Sequence, residues 1–369
     1  MAKEVVRVGI IGCGQIAERH IRSYMKMDGV KIVAVADPKK AARTSGAQLA
    51  GGATAFRDFR ELLALKEIDA VDVCLHNNLH APVTIEAMRA GKHVYCEKPI
   101  AGSYVDGLAM VKAAKRHRRK LSIQLATLFH PETKAARRLI DAGVLGTPYY
   151  AKSVGFRRRG RCYVDGYGSK QFVQKDVAAG GALYDMGVYR ISQILHLLGN
   201  PAAKTITGST YQEIDMYPDR RRASRYSVEE FGTGYVRLEG DVTLIVEESW
   251  AIHLDSLGRP CLVGDRGGLS FGPLTLHKTE ADIELDAAVQ VAQADARWRS
   301  TDPAYAAFDS PQHHWIATLN GSLRKPIDTA AIALNTMLIS EGIYLSQRLG
   351  REVTAAEVAN RSKSTAVKI

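Results

Sequence analysis

The chain has 369 residues, 46% of them apolar and 24% charged, which suits an ordinary globular protein of two domains and excludes a disordered or collagen-like chain. No apolar run approaches the roughly 20 residues of a membrane span, and the five cysteines show no CxxC spacing, so no membrane anchor, disulfide ladder or structural zinc is expected. The formal charge of +11 comes in clusters at 112–120, 157–161 and 220–225, of which the first closes a predicted helix and the second lies in a glycine-rich stretch fit to wrap a small anion. Anionic metabolites, not nucleic acid, are therefore the expected partners. The start MAKEVVRVGIIG enters a strand without the apolar block of a signal peptide, and a cytoplasmic location is expected.

In chain order, VVRVGIIG (5–12) predicts a strand, QIAERHIRSYMKM (15–27) a helix and VKIVAVAD (30–37) a strand; a helix follows from about Phe59. AVDVCLH (70–76) is the next strand, with a helix in APVTIEAMRAG (81–91). HVYCE, a helix from about Ser103 to His117 and the strand LSIQLATLF (121–129) complete the series. The βαβ rhythm and the continuous Val/Ile/Ala runs describe a doubly wound parallel sheet of the Rossmann type over residues 1–129. Beyond Pro131 the pattern changes. A helix (ETKAARRLIDAG), the strand YYAKSVGF, an arginine-rich loop and a helix from about Ala182 to Leu198 precede antiparallel strands, with a hairpin turn at LEGD. A long helix closed by Gly350 follows, so residues 130–369 are expected to form a second α/β domain with a large, mostly antiparallel open sheet.

GCGQIA (12–17) is a GxGxxA turn between strand and helix: Gly12 for the tight turn, Gly14 for backbone approach to a pyrophosphate, and Gln15 and Ile16 opening the helix whose N-terminus receives phosphate. Asp37 ends the second strand, where a carboxylate accepts from an adenosine ribose and repels a 2′-phosphate, which favours NAD over NADP. HNNLHAP (76–82) reads as a loop and helix cap at the carboxyl edge of the sheet, with Asn77 and His80 against the dinucleotide and no metal between His76 and His80. Glu97, Lys98 and Pro99 end the next strand at that same edge, which sets Lys98 beside the cofactor.

The GxGxxA turn, Asp37, the asparagine loop and KHVYCEKPIAG together resemble the glucose-fructose oxidoreductase, inositol dehydrogenase and MocA family, over nearly the whole chain. The resemblance implies that Lys98 points at substrate and nicotinamide. It also identifies GGALYDMGVY (180–189) with the family's GGxxxDxGxH motif, Tyr189 standing where the family's histidine stands. Asp185 and Tyr189 are four apart and share a helix face. A tyrosine is a poor base near neutrality unless a cation lowers its pKa. The assignment is therefore Tyr189 as acid/base, Lys98 as activator and Asp185 as the residue orienting substrate hydroxyls. Substrate contacts are expected from the preceding loop, at Arg158, Arg159, Tyr163 and Lys170, alongside Asp185 and Tyr189. The resemblance implies NAD-dependent oxidation or reduction of a secondary hydroxyl of a sugar, glycoside or cyclitol, at C3, in a homo-oligomer (dimer or tetramer) joined through the open sheet. The competing expectation is a redox-neutral, NAD-requiring glycosidase of anionic glycosides such as sulfoquinovosides, with Tyr163, Tyr167 and His253 as candidates for its extra proton transfers.

Overall fold

The structure is a computed structural model and describes residues 5–369. Six strands, β1 (Val6–Ile11), β2 (Val30–Ala36), β3 (Thr54–Phe56), β4 (Ala70–Val73), β5 (His93–Cys96) and β6 (Leu121–Ile123), form a parallel sheet in the order β3-β2-β1-β4-β5-β6. The order reverses between β1 and β4, and a doubly wound sheet opens its binding crevice at such a switch point. Val8, Ile10, Val71, Val73 and Val94 are fully buried, as strands covered on both faces require.

Two predicted elements differ, and two that were not expected are present, strand β3 and a helix after β2. HNNLHAP is not a loop: the helix runs from Asn77 to Arg89 with Pro82 inside it. Proline has no N–H for the Asn78 carbonyl, and the Val367 N–H, from the end of the chain, takes that oxygen at 3.2 Å. The strand expected over 121–129 stops at Ile123, and Ala126–Phe129 turns as a 3-10 helix. A helix at Lys40–Leu49 stands where no element was expected; Gly46 is its one fully buried residue, so it carries no apolar stripe to read.

The second sheet has nine strands: β7 (Pro148–Phe156), β8 (Ala203–Tyr211), β9 (Phe231–Leu238), β10 (Thr243–Ser249), β11 (Cys261–Gly264), β12 (Gly268–Ser270), β13 (Thr275–Glu280), β14 (Ile283–Ala288) and β15 (Val353–Thr354). Their order is β14-β13-β12-β11-β7-β10-β9-β8-β15, antiparallel except where β7 meets β10. The hairpin at 239–242 turns with Gly240 and Asp241 at positive φ. Register separates the two faces. The row Ile206, Val236, Leu244, Ala151, Leu262 is wholly buried, while the neighbouring row Thr207, Tyr235, Ile245, Lys152, Cys261 is partly or fully open.

Helix Thr329–Leu349, capped by Gly350, packs on the buried face, where Ile343 meets Gly208 and Gly234. The helix that begins near Gly181 covers the same face with Leu183 against Gly232. Helix Pro311–Asn320 returns to the first sheet and adds Trp315 and Ile316 to its core.

Candidate active site

The phosphate turn is built as its glycines require. Gly12 has φ +88°, and a Cβ there would lie 2.4 Å from the Cys74 carbonyl oxygen. Gly14 caps helix Gln15–Tyr24 with no side-chain cap, and nothing lies within 4 Å of where its Cβ would stand. The helix N-terminus, with Gln15 and Ile16 in its first turn, thus offers free N–H groups to open space. Asp37 accepts from the Cys13 N–H (2.9 Å) and the Lys39 N–H (2.8 Å), which ties this turn to the end of β2. The open seat at Gly14, with an acid across from it, fits a dinucleotide.

Asn77 and His80 stand at the sheet's carboxyl edge but are engaged by the protein. Asn77 donates to the Ala178 carbonyl (2.7 Å) and Asn78 to that of Asp176 (3.1 Å), so both amides fasten the first domain to the second. His80 is fully buried, its ring nitrogens 2.8 and 3.0 Å from the carbonyl oxygens of Pro99 and Leu75. His76 caps the helix and meets Phe172 edge-on at 6.0 Å, where the loop after β7 crosses to the first sheet.

Lys98, Asp185 and Tyr189 converge. The Lys98 Nζ donates to Asp185 Oδ1 at 2.9 Å and sits 4.7 Å from the centre of the Tyr189 ring. Trp250, fully buried at the end of β10, donates its indole N–H to Asp185 Oδ2 at 3.0 Å. Burial opposes charge on Lys98, but Asp185, Tyr189 and Glu97 raise its pKa above the ordinary lysine value. Burial likewise opposes charge on Asp185, and Lys98 and the Trp250 bond hold its carboxyl below the usual range. Tyr189 departs from expectation. Burial raises its pKa and Lys98 only partly counters this, so the phenol remains protonated at neutral pH instead of being made acidic.

Local structure explains the convergence. The stretch Leu183–Gly187 is one π-helical turn leading into the α-helix Val188–Leu197, a different winding from the continuous α-helix expected. Its start is clamped by buried Glu229, whose carboxylate accepts from the N–H groups of Gly181 (2.8 Å) and Leu183 (3.0 Å). A Cβ on Gly181 would lie 1.9 Å from the Glu229 carbonyl oxygen, which is why glycine stands there.

The arginine loop divides by role. Arg161 is wholly buried, paired with Asp165 (2.9 Å) and Glu230 (2.7 Å), and holds the loop's shape. Arg159 lies outside, over the Tyr217 ring and bonded to the Asp215 carbonyl. Arg158 and Lys170 are exposed, and Tyr163 lies under Arg220. Arg157 bonds to the Gly160 carbonyl (3.0 Å) and lies 5.1 Å from the centre of the Tyr167 ring, and its charge is near enough to Asp185 to help lower that carboxyl. The Tyr167 hydroxyl donates to the Gly160 carbonyl (2.8 Å), and His253 is exposed.

Sequence reasoning missed Trp250, because nothing in spacing links position 250 to 185. It also missed His20, which faces Asp72 and Cys74 beneath the site. Among the described residues these three are the one cluster with metal-ligand spacing, and both His20 ring nitrogens already face carboxylates.

A dinucleotide seat at the switch point and a lysine, aspartate and tyrosine set where two domains meet define an NAD-dependent oxidoreductase. The oxidoreductase family with an NAD-binding Rossmann fold matches residues 6–125, and the GFO/IDH/MocA C-terminal domain matches residues 133–270. The chain belongs to this Gfo/Idh/MocA family, whose members include NAD-dependent sugar and cyclitol dehydrogenases. It is 29% identical over 303 residues to D-glucoside 3-dehydrogenase of Escherichia coli, covering 80% of this chain and 85% of that one. It is 26% identical over 353 residues to D-apiose dehydrogenase of Paraburkholderia graminis, covering 93% and 88%. The fold matches that of an oxidoreductase from Agrobacterium radiobacter in complex with NAD+, L-tartaric acid and magnesium. That match has a TM-score of 0.74 at 20% identity and covers 95% of this chain and 99% of that one.

Proposed function

We propose that the protein oxidises a secondary hydroxyl of a sugar or glycoside, at C3, with Lys98, Asp185 and Tyr189 as its catalytic residues. NAD, when bound, supplies the hydride acceptor. The carrying observation is the Lys98 ammonium held 2.9 Å from Asp185 and over the Tyr189 ring, at the same sheet edge as Gly14. Asp185 is fixed by two donors, so a substrate hydroxyl that meets it and Lys98 side by side is oriented by charge-assisted bonds. Tyr189 carries the proton. Held protonated at rest, it is ready to donate in the reductive direction, and in the oxidative direction it accepts only as pH rises. Arg157 is the cation best placed for an anionic substituent. In this reading residues 1–129 seat the cofactor and residues 130–369 the sugar, while the open sheet face around Tyr235 joins subunits.

The test is incubation of the protein with NAD and a panel of neutral and anionic glycosides in deuterated water, following NADH by absorbance and the sugar by NMR. Stoichiometric NADH with the glycosidic bond intact and a 3-keto product is expected. Released aglycone with deuterium at C2 and no net NADH would replace the reading with a redox-neutral glycosidase.

A further inference from the structure

Beneath the Lys98 strand end lies a cluster of buried polar groups that hydride transfer does not itself require. His20, on the helix that opens at Gly14, is 2% exposed. Its Nδ1 is 2.9 Å from Asp72 Oδ2 and 3.5 Å from Cys74 Sγ, and its Nε2 is 2.9 Å from Glu97 Oε1. The Glu97 contact is an ion contact, off the hydrogen-bond axis. The other Glu97 oxygen, Oε2, accepts the Lys98 backbone N–H at 3.0 Å. A chain of contacts therefore runs Asp72, His20, Glu97, Lys98, Asp185.

Two buried carboxylates next to each other are costly unless a cation sits between them. Burial disfavours charge on His20, but Asp72 and Cys74 raise its pKa well above the ordinary value, and His20 in turn helps to lower that of Glu97. The groups facing His20 are Asp72 and Cys74 at the end of β4 and Tyr95 and Glu97 at the end of β5, with Tyr24 of its own helix facing Asp72. Glu97 also faces Lys98 and His80.

We propose that His20 is a positioning residue: its imidazolium occupies Glu97, so that the Lys98 ammonium is left to Asp185 and the substrate and does not fold back on its own neighbour. The proposal rests on Lys98 acting as read above. Without His20, Glu97 is the nearest unpaired carboxylate to Lys98, and its uncompensated charge also faces Tyr189, which it makes harder to deprotonate.

The test is His20→Gln, read in three ways. Its crystal structure with NAD is expected to show the Lys98 Nζ moved from Asp185 to Glu97. Its kcat is expected to fall about tenfold with KM for NAD within about twofold, a misplaced lysine beside an intact phosphate seat. The basic limb of its kcat profile should move to higher pH, and the charge-matched double variant His20→Gln with Glu97→Gln, which removes the charge His20 no longer compensates, should bring it back. If His20→Gln does not fold, Glu97→Gln keeps the acceptor for Lys98 and should move the limb to lower pH. Lys98 still on Asp185 in the variant, or an unmoved limb, overturns the proposal. The structural reading needs no substrate. A wild-type protein inert on every sugar would therefore sink the functional reading, while the position of Lys98 still decides this one.

Discussion

Glu248→Gln should flatten a fall in stability that burial of this carboxyl is expected to produce between mildly acidic and alkaline pH. Glu248 lies on β10 on the buried face of the second sheet, wholly inaccessible, and a Cβ on Gly187 of the Asp185 helix would lie 3.3 Å from its Cγ. Its Oε1 accepts from Ser153 at 2.8 Å, but its other oxygen has only Arg190, at 3.8 Å. Burial raises its pKa from 4.5 to about 8, against the smaller pull of Arg190 and Ser153. A carboxyl whose folded pKa exceeds its unfolded value binds more protons folded than unfolded across that interval. Stability therefore falls as pH rises from 4.5 through 8 and is flat above.

The whole interval corresponds to about 5 kcal/mol, and the part between pH 5.5 and 9 to about 3 kcal/mol. Arg190 is partly exposed and can close on the ionised carboxylate, so the expected change is about 2–3 kcal/mol, a large share of a typical folding free energy. The assay is urea unfolding of wild type and variant at pH steps from 5.5 to 9, read on the transition that carries the second sheet. The variant should be the more stable at pH 9 and the difference should shrink toward pH 5.5. Parallel curves for the two proteins would refute the assignment of a neutral Glu248.

Gly14→Ala should leave the melting temperature almost unmoved, since its Cβ meets nothing and the cap penalty is about 1 kcal/mol or less. NAD affinity, measured by fluorescence titration, should nevertheless drop tenfold or more; unchanged affinity would remove the pyrophosphate from this turn. Trp250→Phe deletes one of two donors on Asp185 and should cost about 1–2 kcal/mol in kcat/KM for the sugar, with NAD binding intact. Tyr189→Phe should lower turnover about 10²–10⁴-fold with little change in NAD affinity, and near-normal turnover would take the proton from Tyr189. In wild type, the oxidative kcat/KM should climb through alkaline pH, because a phenol whose pKa lies above its ordinary value gains its basic form only there; a flat profile from pH 7 to 10 would argue for another base.

Five strands of the first sheet were legible because they are largely buried on both faces and follow one another at regular intervals, the apolar runs and the glycine turn repeating one physical requirement; β3, three residues at the sheet's edge and none of them buried, carries no such signal. The second sheet was read in outline through its hairpin at Gly240 and its long capped helix. Strands such as β14, exposed along its whole length, leave no alternation to detect. HNNLHAP misled because Pro82 normally marks a boundary, and the group that tolerates it inside a helix, the Val367 N–H, lies at the far end of the sequence.

The site divides along the same line. Lys98 and Asp185 carry local motifs, but what fixes their geometry is non-local: Glu229 clamping the π turn, Trp250 holding the second oxygen of Asp185, and His20 beneath Glu97. Tyr189 shows why the motif alone was insufficient. The lysine expected to acidify it is present over its ring, yet burial acts on the same group with the opposite sign and outweighs it. Which effect wins depends on how much protein surrounds the phenol, and that is a property of two domains meeting around a helix, not of the four-residue spacing of Asp185 and Tyr189.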